Sequence, residues 1–266
     1  MAPFIDSVAQ SVLCCALMYT RSILTNLLYP PSCLLCHADL SPSDADTSQD
    51  ERHAPVLCQA CRDAIPDNGP PVCSQCGADV PGAFDATFLC VSCCKNRLAF
   101  EMARAPWQYA GSSQEAIRQF KYHRRWRIGR WLAEAMIQTA RRSFPLDDIT
   151  LVVPVPLHWV KRRVKGFQPV DQLASTVAEA LEKPYRPQAL RRRRWTTTQT
   201  HLSRGRRFQN VAKAFAARPH LVQDHGVLLV DDVFTSGATA HACTIALQDA
   251  GARRVFVLTA ARTPLA

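Results

Sequence analysis

Asp231 and Asp232 stand side by side at the end of the apolar run Val227–Val230, and Thr235, Ser236, Gly237, Ala238 and Thr239 follow almost at once. Burying both carboxylates would be costly, so at least one must face water or a polar ligand. In a parallel sheet, ligands collect beyond the carboxyl ends of the strands, where a loop entering a helix presents N–H groups at the positive end of the helix dipole. Gly237 lets the backbone curl around a phosphate with no side chain in the way, and Thr235, Ser236 and Thr239 add hydroxyl donors. The same anion would repel the two acids, which therefore face a neutral, hydroxyl-bearing part of the ligand. A ribose 5-phosphate unit has that layout, its vicinal hydroxyls donating to the carboxylates. A simple helix cap by Thr235 or Ser236 needs neither the doubled acid nor the glycine. The chain contains no Walker A loop and no Gly-x-Gly-x-x-Gly, which removes the common nucleotide-binding loops.

A second chemistry is written in sulfur. Of 12 cysteines, Cys33/Cys36, Cys58/Cys61, Cys73/Cys76 and Cys90/Cys93 form Cys-x-x-Cys pairs. The short spacing lets both sulfurs of a pair reach one ion, so the pairs supply two tetrahedral zinc sites of four cysteines each. Sequential pairing is the expectation, with Cys33, Cys36, Cys58 and Cys61 on one zinc and Cys73, Cys76, Cys90 and Cys93 on the other; spacing alone leaves interleaving open. Gly77, directly after Cys76, suits the left-handed turn of a zinc knuckle. Four sulfurs close each site, so the role is structural. Disulfides compete poorly in a chain without a secretory signal. Cys14, Cys15, Cys94 and Cys243 read as packing residues, and His37, beside Cys36, as incidental.

The elements that must position these groups follow from pattern. Residues 1–32 read as an amphipathic helix stopped by Pro30 and Pro31. Residues 33–97 are rich in Cys, Pro, Asp and Ser and depend on the metals, with an acidic loop over 39–55 to which no function is assigned. From residue 98 to 266 the pattern alternates: a strand within 102–109, helices over 112–122 and 128–140, a buried strand ending at Pro154 and Pro156, a basic turn, and a helix near 171–181. An arginine-rich segment comes next, then a strand at Val227–Val230, a helix over 239–250 stopped by Gly251, and a last strand at 255–260. The fold class is α/β, a parallel sheet covered by helices behind a small cysteine-rich region.

At 266 residues and 47% hydrophobic content the chain has ample material for a packed core. Its net charge of +10 is concentrated in clusters at 161–163, 191–194 and 204–207, which suit phosphates or nucleic acid. No apolar run approaches a membrane span of roughly 18 residues, and the expected location is cytoplasmic.

The stretch VLLVDDVFTSGAT (Val227–Thr239) resembles the signature of the type I phosphoribosyltransferases, in which two acids bind the ribose hydroxyls of phosphoribosyl pyrophosphate and the following loop holds its 5-phosphate. Phe234 departs from that pattern, standing where a smaller aliphatic residue is usual. The stretches 120–133, 152–174 and 193–215 resemble the ComF family, whose members join a double zinc ribbon to a phosphoribosyltransferase domain and are associated with uptake and processing of transforming DNA. Gln168-Pro169 departs from that family's Asn-Gln, with Gln172 as a candidate replacement for the lost amide. The resemblance implies a type I phosphoribosyltransferase-like sheet and Mg2+ on the pyrophosphate. It puts Arg163 and Lys165, with Lys161 and Arg162, beside the pyrophosphate, adds Lys121 as a further candidate, and makes 198–210, with Gln199, Arg206 and Asn210, a closing hood. Implied partners are phosphoribosyl pyrophosphate, single-stranded DNA, and DNA-uptake or helicase proteins; the acceptor stays open.

Two functions of different class follow. One is a Mg2+-dependent transferase in which Asp231 and Asp232 serve the reacting sugar. The other is an accessory protein that keeps the fold and holds single-stranded DNA through its ribbons and arginine clusters and through Trp126, Trp159 and Trp195, with Trp131 assigned instead to the core by its helical spacing.

Overall fold

A computed structural model describes residues 31–40, 56–80, 88–123, 125–156, 168–193 and 213–265. The expected N-terminal helix and most of the acidic loop lie outside these residues. So do the basic turn and most of the arginine-rich segment, and with them Arg163, Lys165, Gln199 and Arg206. The chain divides into two compact units, Met1–Asp63 and Ala64–Ala266. The first holds the Cys33/Cys36 knuckle and the short helix α1 (Gln59–Asp63). The second holds the other knuckle, the short helix α2 (Val91–Lys95) and everything after it.

The second unit is built on a parallel sheet. Its strands are β1 (Met102–Arg104), β2 (Trp107–Gln108), β3 (Leu151–Pro154), β6 (Gly226–Phe234) and β7 (Arg254–Arg262). The order is β1-β7-β6-β3, with β2 also pairing with β7. Pro106 interrupts the first edge, which is why the stretch read as one strand is two, since proline cannot donate to a ladder. Leu151, Val153, Val227, Leu229, Val255 and Val257 are buried in one cluster. Leu228, Val230, Phe256 and Leu258, the alternate positions, are also buried. Burial on both faces explains the near-continuous apolar runs.

Helix α3 (Gly111–His123) leads into α4 (Trp126–Ser143), whose Ile128, Leu132, Met136, Ile137 and Ala140 recur at helical spacing and are buried. Trp131 on α4, expected in the core by its spacing, is half-buried and stacks on Trp107 with ring centroids 4.4 Å apart. Helix α5 (Pro169–Ala180) begins with Pro169 in its first turn, where the missing N–H costs nothing. Helix α7 (Ala238–Asp249) connects β6 to β7 and ends at Gly251, φ +94°.

Two features differ from the sequence expectation. The strand expected to end at Val230 runs on through both acids to Phe234, because β7 continues beside it, pairing Asp231 with Thr259, Val233 with Ala261 and Phe234 with Arg262. The arginine-rich segment is flanked by an antiparallel pair, β4 (Leu190–Arg192) and β5 (Phe215–Ala217), followed by the short helix α6 (Pro219–Val222). Among the described residues no helix is long and apolar enough to cross a membrane.

Candidate functional site

Successive residues of a strand point to opposite faces, so Asp231 and Asp232 enter different surroundings. Asp232 meets the last turn of α3, where Lys121 Nζ lies 2.8 Å from its Oδ2. Burial works against the lysine charge, but the Asp232 carboxylate, with Asp231 behind it, holds Lys121 above its usual range. Asp231 accepts a 2.9 Å hydrogen bond from the Asp232 amide. Burial and the neighbouring Asp232 charge push its carboxyl up to about 8, against the opposing pull of Lys121 and Arg192. Arg192 therefore belongs to the site's electrostatics and not to a solvated arginine face: it is half-buried, and its guanidinium lies 5.5 Å from the Phe215 ring centroid. Cys243, buried on α7, has its thiol pushed well up by burial and by Asp231, as a packing residue should.

The turn after β6 takes the conformation its glycine permits. Gly237 caps α7 with φ +78° and ψ 0°, and its carbonyl accepts the His241 amide at 2.8 Å. A Cβ at Gly237 would lie 2.8 Å from Phe234 Cζ and 3.2 Å from Leu98 Cδ1. Both a left-handed backbone and steric closeness thus require glycine. Gly237→Ala is expected to destabilise the second unit by about 1–2 kcal/mol from backbone strain alone and to displace the loop, read as a lower melting temperature. Phe234, the departure from the signature, is 5% exposed and meets Phe100 edge-on, centroids 5.9 Å apart. A cavity of about 360 Å3 opens beside the loop, walled by Thr235, Ser236, Phe234, Arg262, Cys76 and Leu98.

The cysteines gather as two quartets, Cys33, Cys36, Cys58 and Cys61, and Cys73, Cys76, Cys90 and Cys93, the sulfurs of each within 4.8 Å of one another. The pairing is sequential. Cys36 and Cys58 sulfurs lie 3.6 Å apart and Cys76 and Cys90 sulfurs 3.7 Å apart; tetrahedral zinc with bonds of about 2.3 Å places sulfurs about 3.8 Å apart. The described cysteines are free thiols, and the quartets fit two zinc sites with all-sulfur ligands. In the second quartet the Cys76 thiol draws Cys73 down to about 4, while Cys76 itself is pushed up by its bond to Cys73 and by burial.

A repeat that the sequence carries explains the knuckles. Pro30-Pro31-Ser-Cys-Leu-Leu-Cys-His-Ala-Asp-Leu40 and Pro70-Pro71-Val-Cys-Ser-Gln-Cys-Gly-Ala-Asp-Val80 are two copies of one pattern. Their bonds match: Cys33 N donates to Ala38 O and Cys73 N to Ala78 O, while His37 N donates to Cys33 O and Gly77 N to Cys73 O. His37, incidental by its spacing, holds the left-handed position at φ +63° that Gly77 holds at +65°. The second copy needs glycine because a Cβ at Gly77 would come 2.5 Å from Ala103 O.

The structure thus brings together Asp231, Asp232, Lys121 and the Thr235–Thr239 loop. Gln168 is buried, its amide donating to Asp171 Oδ1 at 2.8 Å and to Val155 O at 3.4 Å. Gln172 donates to Trp126 O at 3.2 Å, so it is committed to α4 and does not take the place of the lost amide. Arg262, which no motif announced, is 3% exposed at the end of β7.

Comparison with known proteins places these features. Residues 24–94 match the family model described as "Double zinc ribbon domain". The chain is 30% identical over 241 residues to the DNA utilization protein YhgH of Salmonella typhimurium, covering 89% of this chain and 99% of that one. It belongs to the ComF family. A second relative, competence protein F of Haemophilus influenzae, is 28% identical over 211 residues, 77% of this chain and 90% of the relative. Among solved structures, this ComF-family chain is similar to the glutamine phosphoribosylpyrophosphate amidotransferase from B. subtilis (24% identity, TM-score 0.33, 47% of this chain). It is also similar to an allosteric regulatory enzyme of purine biosynthesis (25% identity, TM-score 0.34, 50% of this chain). The chain spans about a quarter of each of those longer chains, 24% and 25%.

Proposed function

We propose that this ComF-family protein binds phosphoribosyl pyrophosphate and acts as a phosphoribosyltransferase-like component in the handling of DNA taken up by the cell. The observation that carries the reading is the junction of β6 and α7: two acids delivered by one strand, a lysine on one of them, and a left-handed glycine soon after them that opens the helix N-terminus. The names of its relatives, a competence protein and DNA utilization proteins, support the cellular setting.

In this reading the amides of 236–239 and the hydroxyls of Thr235, Ser236 and Thr239 hold the 5-phosphate. Asp232 takes hydrogen bonds from the ribose hydroxyls as Lys121 yields its place and turns toward the pyrophosphate. Asp231, its carboxyl pushed up to about 8 by burial and the Asp232 charge, is assigned a hydrogen bond to the same sugar. The Asp232 carboxylate, once Lys121 has left it, opposes the positive charge that develops on the ribose ring, a gain made chiefly in the transition state. Magnesium would neutralise the leaving pyrophosphate. In this structure Asp232 is paired with Lys121 and the Asp231 carboxyl is pushed up to about 8, so the two acids do not form a ready carboxylate pair for that ion. Arg163, Lys165, Gln199 and Arg206 are assigned to the pyrophosphate and hood on the resemblance alone.

Tyr122 (67% exposed) and Trp126 (53% exposed), beside exposed Arg127 and Arg130, favour single-stranded DNA as a second partner. Calorimetric titration with phosphoribosyl pyrophosphate and Mg2+ tests the main reading. Binding is expected. No heat at millimolar ligand, with DNA binding kept, would leave the accessory reading in its place.

A further inference from the structure

The second cysteine quartet and the phosphate loop share one hydrophobic cluster, in which Cys76, Cys93, Leu98, Phe234 and Ala238 are buried together. Arg262 sits at the joint. Its Nη1 donates to the Cys76 carbonyl at 3.2 Å and to the Cys76 sulfur at 3.6 Å. Its guanidinium carbon lies 5.4 Å from the Phe234 ring centroid, and its backbone pairs with Phe234 across β6 and β7. A zinc ion with four thiolates carries two surplus negative charges, so a buried arginine on one of those sulfurs is held there by charge as well as geometry.

Phe234 is held by three neighbours, with one edge on the cavity beside the loop. Arg262 covers it, Phe100 meets it edge-on at 5.9 Å, and any Cβ at Gly237 would come within 2.8 Å of its ring. A ring displaced toward the turn therefore presses on Gly237. A second tie runs in parallel. Gln75, between the knuckle cysteines, exchanges hydrogen bonds with both backbone groups of Leu98, at 3.0 and 3.3 Å. Leu98 is the other neighbour of Gly237, and the Ala99 amide donates to His241 Nδ1 in the first turn of α7 at 3.0 Å.

We propose that Arg262 is a positioning residue for the phosphate loop. Through Phe234 it transmits zinc occupancy of the second quartet to the backbone at Gly237, and hence to anion binding at Thr235–Thr239. This rests on reading that loop as phosphate-binding. Coupling between two sites is reciprocal: if zinc prepares the loop, a ligand in the loop must slow the departure of that zinc.

The test uses the full-length, zinc-loaded protein and a chromogenic zinc chelator, with the two release phases assigned from the Cys36→Ser variant, which weakens the first quartet. Phosphoribosyl pyrophosphate with Mg2+ is expected to slow release from the second quartet about tenfold, within the usual range of coupling factors. It should leave the first quartet's phase unchanged, an internal control for metal binding by the ligand itself. Arg262→Gln is expected to abolish that slowing and to weaken ligand binding about tenfold while the first phase stays put; if it does not fold, the wild-type comparison carries the test alone. Ligand binding by calorimetry without slower release overturns the coupling and leaves the functional reading intact. Failure of both phosphoribosyl pyrophosphate and inorganic phosphate to bind removes the loop reading and the coupling together.

Discussion

Alanine at both Asp231 and Asp232 is expected to abolish binding of phosphoribosyl pyrophosphate, raising its Kd by about 100-fold or more. The Asp232 carboxylate contributes charged hydrogen bonds worth about 1.5–3 kcal/mol and the neutral Asp231 carboxyl about 0.5–1.5 kcal/mol, and no neighbouring described carboxylate stands ready to replace them. Calorimetry on the variant and the parent checks this, and a Kd within threefold of the parent would exclude the acids from the site. The single variant Asp231→Asn separates binding from stability. The Asp231 carboxyl is held at about 8 in the folded chain against 3.8 for an ordinary aspartate. Between those values the folded chain holds a proton that the unfolded chain releases, so stability falls as pH rises from about 4 to about 8, where the loss is complete. Asparagine removes that loss only in part, because it also gives up the attraction of the charged Asp231 to Lys121 and Arg192. The variant should melt roughly 2–4 °C higher at pH 8, for a gain of about 1 kcal/mol, with little gain at pH 4, and should bind ligand less well.

Cys73→Ser should be far more damaging than Cys36→Ser. Cys73 is fully buried in the cluster that also contains Leu151, Val227 and Phe234, whereas Cys36 is exposed and belongs to the other compact unit. Structural zinc contributes about 10–16 kcal/mol to the folding of small zinc peptides. Losing even a third of that would lower the melting transition of the sheet-bearing unit by roughly 10–20 °C. Cys36→Ser is expected to release zinc from its own quartet and to leave that transition within about 2 °C. Equal effects of the two substitutions would mean that the second knuckle is not part of the sheet's core.

What can be read in advance follows the range of the forces concerned. The left-handed turn at Gly237 and the cysteine quartets are legible because adjacent residues and short spacings set them. The duplicated Pro-Pro-x-Cys pattern at 30–40 and 70–80 is equally legible, and it gives His37 its role; a search for long solenoid repeats passes over so short a unit. Lys121 can be nominated but not partnered, since its contact with Asp232 depends on how α3 lies against β6. Hydropathy misplaces the strand end at Val230 because the apolar run stops there, while the ladder with β7 carries the backbone through the acids. Arg262 is invisible to pattern. A charged residue at a strand end reads as solvated, and only the closeness of the second knuckle buries it.

The pairing of Met102 with Phe256 has a consequence during synthesis. The two residues are about 150 positions apart, and contacts so distant in sequence form late. A ribosome delivers both knuckles, and every zinc ligand, well before β7 exists. Cys73 and its companions are therefore available for metal capture before the sheet that will enclose them arrives, and until zinc is bound the nascent chain carries those thiols uncovered.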